Sequence, residues 1–178
     1  MRVEIRDGNV RDLCFIAANL RDEDRKEIEA SARLDSVTQA AMLSWALSGP
    51  DWCWTAWLDG QPHAAFGISS MGPFQPHMRS AWAWGTRRFK RCVPAITRFA
   101  TDNWPSMLIG IGVTRVEIRS LDGHDIAKRW LSGLRARHEG VLRSYGVNGE
   151  TFHLWAFLAE DFNHVLFDSK SAGPAAGS

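Results

Sequence analysis

Between residues 86 and 93 the chain reads Thr-Arg-Arg-Phe-Lys-Arg-Cys-Val, which sets Arg87, Arg88, Lys90 and Arg91 where an alternating segment hands over to a helical one. Cations at a helix start can hold phosphate oxygens through their side chains. The opposed reading is a solvated connector, because anion sites at helix starts ordinarily work through exposed backbone amides. A second candidate is His124, which opens a helix beside Asp122 and Asp125. A nearby carboxylate can hold an imidazole as a general base, although a histidine at this position more often only decorates the helix start. Cys92 falls at a helix start that would favour its thiolate, but no base stands near it in sequence, which leaves it structural. The six histidines (His63, His77, His124, His138, His153 and His164) lack the His-x-x-x-His spacing with a carboxylate, so no metal site is expected. No Gly-x-Ser-x-Gly elbow, Walker loop or dinucleotide fingerprint is present.

The chain that must position these groups has 178 residues, 45% hydrophobic and 23% charged, as for one folded domain and neither a disordered nor a fibrous chain. Twenty-one Lys and Arg against 20 Asp and Glu leave a net charge of +1, so no global field draws it to nucleic acid or an anionic membrane. The three cysteines, Cys14, Cys53 and Cys92, suit neither a disulfide framework nor a paired-cysteine zinc site, and a reducing compartment is expected. No stretch approaches the ~20 apolar residues of a membrane span, and the N-terminus lacks the apolar core of an export signal. Nine tryptophans accompany a single tyrosine. Alternation puts Trp52 and Trp54 on one face of a strand and Trp57 on the other, so one packed layer cannot hold them all. Most are expected in the core, with an exposed subset as an anchor for another protein.

Periodicity sets the elements. Val3 and Ile5 alternate with charges in a first strand. Asn9 caps a helix with its apolar stripe on Val10, Leu13, Cys14, Ala17 and Leu20, and Ser36 caps a second helix ending at Ser48-Gly49-Pro50. Between them, Arg21 to Ala30 reads as a solvated helical turn with pairs such as Asp22 and Lys26. Strands follow over 51–58 and 63–69, joined by the hairpin signal Asp59-Gly60, and over 80–86. Val93 to Trp104 has helical spacing and is expected to stop before Pro105. A strand over 113–119, a helix over 123–134 opened by Asp122 and Asp125 as a capping box, and strands over 141–145 and 151–158 joined at Asn148-Gly149 complete the order. The expectation is an α/β mixed sheet in the order β-α-α-β-β-β-α-β-α-β-β. Residues 1–160 form one domain, and the extension 161–178 is flexible from about residue 169.

This order resembles the GNAT acetyltransferase fold. The stretch Glu139-Gly140-Val141-Leu142-Arg143 through Phe152 looks like the closing hairpin of that family, and Ala127 and Leu134 match its Asn-x-x-Ala-x-x-x-Tyr-x-x-Leu-Gly-Phe helix. At the Asn position stands His124, at the Tyr that often acts as general acid stands Leu131, and Gly-Phe is replaced by Arg135-Ala136. The loop that holds acetyl-CoA phosphates in the family carries Gly-x-Gly or Gly-x-Ala, whereas here no glycine follows Gly85 before Val93. Strand 80–86 also lacks the Glu that many relatives use as base. If cofactor binding persists, the resemblance implies Trp84 and Thr86 beside the pantetheine arm and Arg87, Arg88 and Arg91 at the phosphates.

A narrower resemblance rests on Leu20-Arg21-Asp22-Glu23-Asp24 with Glu27-Ile28, on Ala64 to Ser69, and on Trp82-Ala83-Trp84-Gly85-Thr86. Together they are similar to the GNAT-like proteins of tailed bacteriophages, a group that includes the internal virion protein A type. It implies a phage-encoded protein of the host cytoplasm or the virion, catalytically degenerate, requiring no cofactor and acting through other virion proteins or a host protein. The alternatives are an active acetyl-CoA-dependent N-acetyltransferase and, second, a binder of a host protein.

Overall fold

The computed structural model describes residues 2–161. Its element order is β1 (Glu4–Asp7), α1 (Val10–Ala18), α2 (Asp22–Ser31), α3 (Val37–Ser48), a 3-10 turn (Pro50–Trp52), β2 (Cys53–Leu58), β3 (Gln61–Ser70), β4 (Met78–Gly85), α4 (Phe89–Gly110), β5 (Arg115–Leu121), α5 (Asp125–Gly133), β6 (Arg137–Leu142) and β7 (Phe152–Leu158). One seven-stranded sheet runs β1-β2-β3-β4-β5-β7-β6, antiparallel throughout except where β4 meets β5. The mixed α/β class is as expected. The extension beyond residue 161, with its flexible tail from about 169, lies outside the described residues.

Both faces of the sheet are covered, which explains how so many tryptophans are accommodated. Trp84 packs with Leu13, Ile16, Ala17 and Ala41 under α1 and α3. Trp54 packs with Phe66, Phe89 and Ile96 under α4, its ring 5.8 Å from Phe66 and 5.1 Å from Phe99. Trp52 joins the Trp54 side in an edge contact, as alternation requires. Trp54, Trp84 and Trp155 are buried and the other six tryptophans half-buried, so no tryptophan stands fully exposed. Buried indole of this size dominates core energetics.

The local chemistry works as read at several points. Asn9 and Ser36 accept hydrogen bonds from the Asp12 and Gln39 amides and cap α1 and α3. Asp59 and Gly60 both take positive φ, 54° and 76°, in the two-residue turn between β2 and β3.

Four expectations are corrected. Arg21 to Ala30 is not a solvated turn: it forms a helix of its own, α2, and buries Asp24 and Ala30. Helix α4 starts before Val93 and runs through Pro105 to Gly110, because Ile96, Pro105 and Leu108 are buried and their packing outweighs the amide bonds the prolines lack. Asp122 caps nothing: the N-cap of α5 is His124, with no side-chain cap bond. Asn148-Gly149 is not a two-residue hairpin either. It sits in a longer loop between β6 and β7 that docks on α2, where the Val147 amide donates to the Ala30 carbonyl at 2.9 Å.

Candidate functional site

The parallel pair at the centre of the sheet is incomplete. β4 and β5 are paired at Met78–Arg115, Arg79–Val116 and Ser80–Glu117, yet β4 continues to Gly85 and β5 to Leu121. Past Ser80 the strands part into a wedge. Gly85 faces away from β3, and by alternation Ala83 turns its N–H and C=O into the same opening. A cavity of about 640 Å³ occupies the wedge, with Trp82, Trp84, Phe89, Trp104, Trp130 and Ile118 among its walls.

Helix α2 lies across the mouth of this wedge and engages both parted strands. The Arg21 amide donates to the Gly85 carbonyl at 2.9 Å. The Gly85 amide donates to Asp24 Oδ2 at 2.7 Å, and the Leu121 amide donates to Glu27 Oε2 at 2.8 Å. Unpaired backbone groups of a buried strand edge need partners, and here side-chain carboxylates supply them. Asp24 is held in turn by Arg21, whose Nε and Nη2 both donate to it at 2.8 Å, while the guanidinium lies 4.1 Å over the Phe89 ring. Arg21 is 6% and Asp24 2% exposed, so this is a buried bidentate ion pair.

Two further groups respond to this environment. Burial pushes the Glu27 carboxyl up to about 7, with the Asp24 charge adding to the effect and the Leu121 amide and Arg21 opposing it. Burial holds the His124 imidazole below its ordinary value, against the pull of Asp24. His124 sits at the N-cap of α5 with Nε2 3.7 Å from Asp24 Oδ1 and Nδ1 3.6 Å from Glu27 Oε2. Both of its ring nitrogens are buried without a hydrogen bond. The carboxylates beside His124 are therefore those of α2, while Asp122 faces Lys128 and His153.

Of the residues expected around a cofactor, Trp84 lines the wedge cavity. Trp84 is buried and stacks on Trp82 at 5.6 Å. Thr86 is buried with its hydroxyl 2.9 Å from His63 Nδ1. Arg87, Arg88 and Arg91 are exposed, and Arg88 pairs with Asp59 at 2.9 Å.

The open edge at Ala83 would suit an extended chain that carries amides, because such a chain adds to a parted strand as another strand would. At the α4 end of the wedge, where a diphosphate would need free backbone amides, three are already bonded within the chain. There the Arg88 amide donates to Thr86 Oγ1, the Phe89 amide to the Thr86 carbonyl and the Arg91 amide to the Arg88 carbonyl. Gly85 is already bonded to Asp24, and a Cβ on it would come within 2.4 Å of the His63 carbonyl oxygen. Leu131, at the expected acid position, packs with Ala136 and Trp155 and offers no proton.

As site residues, Arg21, Asp24 and Glu27 are hidden in the sequence, because ten residues rich in charge read as a solvated face. The usable signal is their spacing. Positions three apart stack on one side of a helix, and that side carries Arg21, Asp24 and Glu27 towards the sheet.

No protein-family model matches the sequence, and no curated protein matches it either. Solved structures do. An N-acetyltransferase from Staphylococcus aureus Mu50 superposes with a TM-score of 0.66 at 9% identity, covering 89% of this chain and 99% of that one. RimJ of Mycobacterium smegmatis, solved in complex with CoA-disulfide, gives 0.64 at 18% identity over 94% and 89% of the two chains. A GNAT-family acetyltransferase from Bacillus anthracis gives 0.64 at 13% identity over 90% and 96%. At these identities the likeness shows the fold alone, and that fold is the GNAT acetyltransferase fold.

Proposed function

We propose that this chain uses the GNAT scaffold as a protein-binding component and does not catalyse acetyl transfer. In this reading it acts as the phage virion or assembly proteins that its Leu20–Ile28, Ala64–Ser69 and Trp82–Thr86 segments resemble, through contacts with other virion proteins or a host protein. One observation carries it: the two parted strands of the wedge that would receive acetyl-CoA are bridged by the chain's own α2, through Asp24 on Gly85 and Glu27 on Leu121. The absence of a hydroxyl at Leu131 and the locally bonded amides at the start of α4 agree with it.

A second reading, an N-acetyltransferase, is favoured by the cavity and by Glu27. A carboxyl poised near 7 within reach of a cavity is suited to take a proton from an ammonium group. Isothermal titration of the full chain with acetyl-CoA separates the two. The binding-component reading expects no heat of binding up to millimolar ligand, an affinity limit of about −4 kcal/mol. Micromolar binding that is lost when Arg87, Arg88 and Arg91 are all changed to Ala would overturn it in favour of the enzyme.

A further inference from the structure

Outside the wedge, beside the β6–β7 pair, a chain of hydrogen bonds joins Asp122, His153 and His138. Asp122 Oδ1 lies 2.8 Å from Lys128 Nζ and 3.0 Å from His153 Nε2. His153 Nδ1 lies 2.9 Å from His138 Nε2, and the His138 ring rests 4.8 Å from the Trp155 ring. The hydrogen bonds from Lys128 and His153 hold the Asp122 carboxyl down at about 2, so near neutral pH it only accepts.

That single fact sets the protons along the chain. His153 must donate from Nε2 to Asp122. When His153 is neutral its Nδ1 is a lone pair, so His138 must donate from Nε2 and carry its own lone pair on Nδ1. His138 is exposed, at the outer end of the chain. Asp122 orients His153, and His153 orients His138, in the manner of a carboxylate and base arranged behind a nucleophile.

We propose that His138 is a nucleophilic imidazole that accepts an acyl group at Nδ1 from small activated acyl donors such as dicarbonates and aryl esters, with His153 and Asp122 as positioning residues. The Nδ1 lone pair attacks the carbonyl carbon and forms an N–C bond, while the C–O bond to the leaving group breaks and the leaving oxygen departs with the bonding pair. The positive charge that develops on the His138 ring is relieved as its Nε2 proton passes to His153 Nδ1. The resulting imidazolium is held by Asp122. The reaction needs no other reactant.

The test is the rate at which diethyl pyrocarbonate modifies His138 in the full chain at pH 7, followed by peptide mass spectrometry. His77, exposed and without a side-chain hydrogen bond among the described residues, is the internal reference. His138 is expected to react about tenfold faster than His77. Asp122→Asn keeps an acceptor oxygen but removes the charge, and is expected to slow His138 about fivefold while leaving His77 unchanged. A burst of nitrophenol from 4-nitrophenyl acetate is expected in the parent and lost in His138→Gln. A His138 rate no greater than that of His77, a rate unmoved by Asp122→Asn, or a burst that survives His138→Gln overturns the proposal.

Discussion

Replacing Asp24 by Ala tests the bridge across the wedge most directly. The carboxylate is 2% exposed, is the bidentate partner of the buried Arg21 guanidinium and accepts the Gly85 amide. Removing it strands a buried cation, which costs about 3–5 kcal/mol. It also leaves a buried N–H without an acceptor, a further deficit of about 1–3 kcal/mol that overlaps the first. A loss of at least about 3 kcal/mol is expected, read as a lower urea midpoint with unchanged slope, or as a drop of roughly 6–12 °C in Tm for a chain of this size. The double change Arg21→Met with Asp24→Leu removes both charges and is expected to recover most of the loss, because well-packed apolar pairs replace buried ion pairs at little cost. What remains is the Gly85 amide, about 1–3 kcal/mol. If Asp24→Ala costs under about 1 kcal/mol, the pair is hydrated, and the argument that α2 firmly bridges the wedge fails.

Three other outcomes follow from the same geometry. Glu27 titrates near 7 in the folded chain, above its ordinary 4.5, so the stability tied to its protonated form is full below about 4.5 and is lost as pH rises through 7. Glu27→Gln, which keeps an acceptor for Leu121, is therefore expected to be the more stable protein at pH 8 by up to about 3 kcal/mol and to converge with the parent towards pH 4, as thermal melts across that range would record. Gly85→Ala forces a Cβ to within 2.4 Å of the His63 carbonyl oxygen and 2.6 Å of the Phe89 ring, and is expected to cost about 1–3 kcal/mol in urea unfolding. Trp54→Ala empties the ring cluster with Phe66, Phe99 and Trp104 and is expected to cost about 3–5 kcal/mol by the same measurement.

The strands and most helices were legible because their signals are local. Asn9 and Ser36 cap as their side chains allow, Asp59-Gly60 turns as only a tight hairpin requires, and the tryptophans divide between faces by simple alternation. The misreadings arose where tertiary contacts outweigh local preference. Pro105 ends a helix in isolation, but here Leu108 continues the buried stripe and carries α4 past it. Arg21, Asp24 and Glu27 carry charge and so read as solvated. Their burial is decided by strand edges 61 and 94 residues away, which no local window contains. His124 was picked out for its place at the start of α5, and that held, yet the carboxylates it meets come from a distant helix.

That same long reach bears on how the chain folds. The bonds from Asp24 to Gly85 and from Glu27 to Leu121 close loops of 61 and 94 residues, and the entropy of closing them is recovered only when β4 and β5 already lie side by side. Helix α2 is thus expected to dock late, after the transition state. Disruptive changes in it would then speed unfolding while leaving the refolding rate nearly untouched. The strap over the wedge would govern how long the native state lasts more than how quickly it forms.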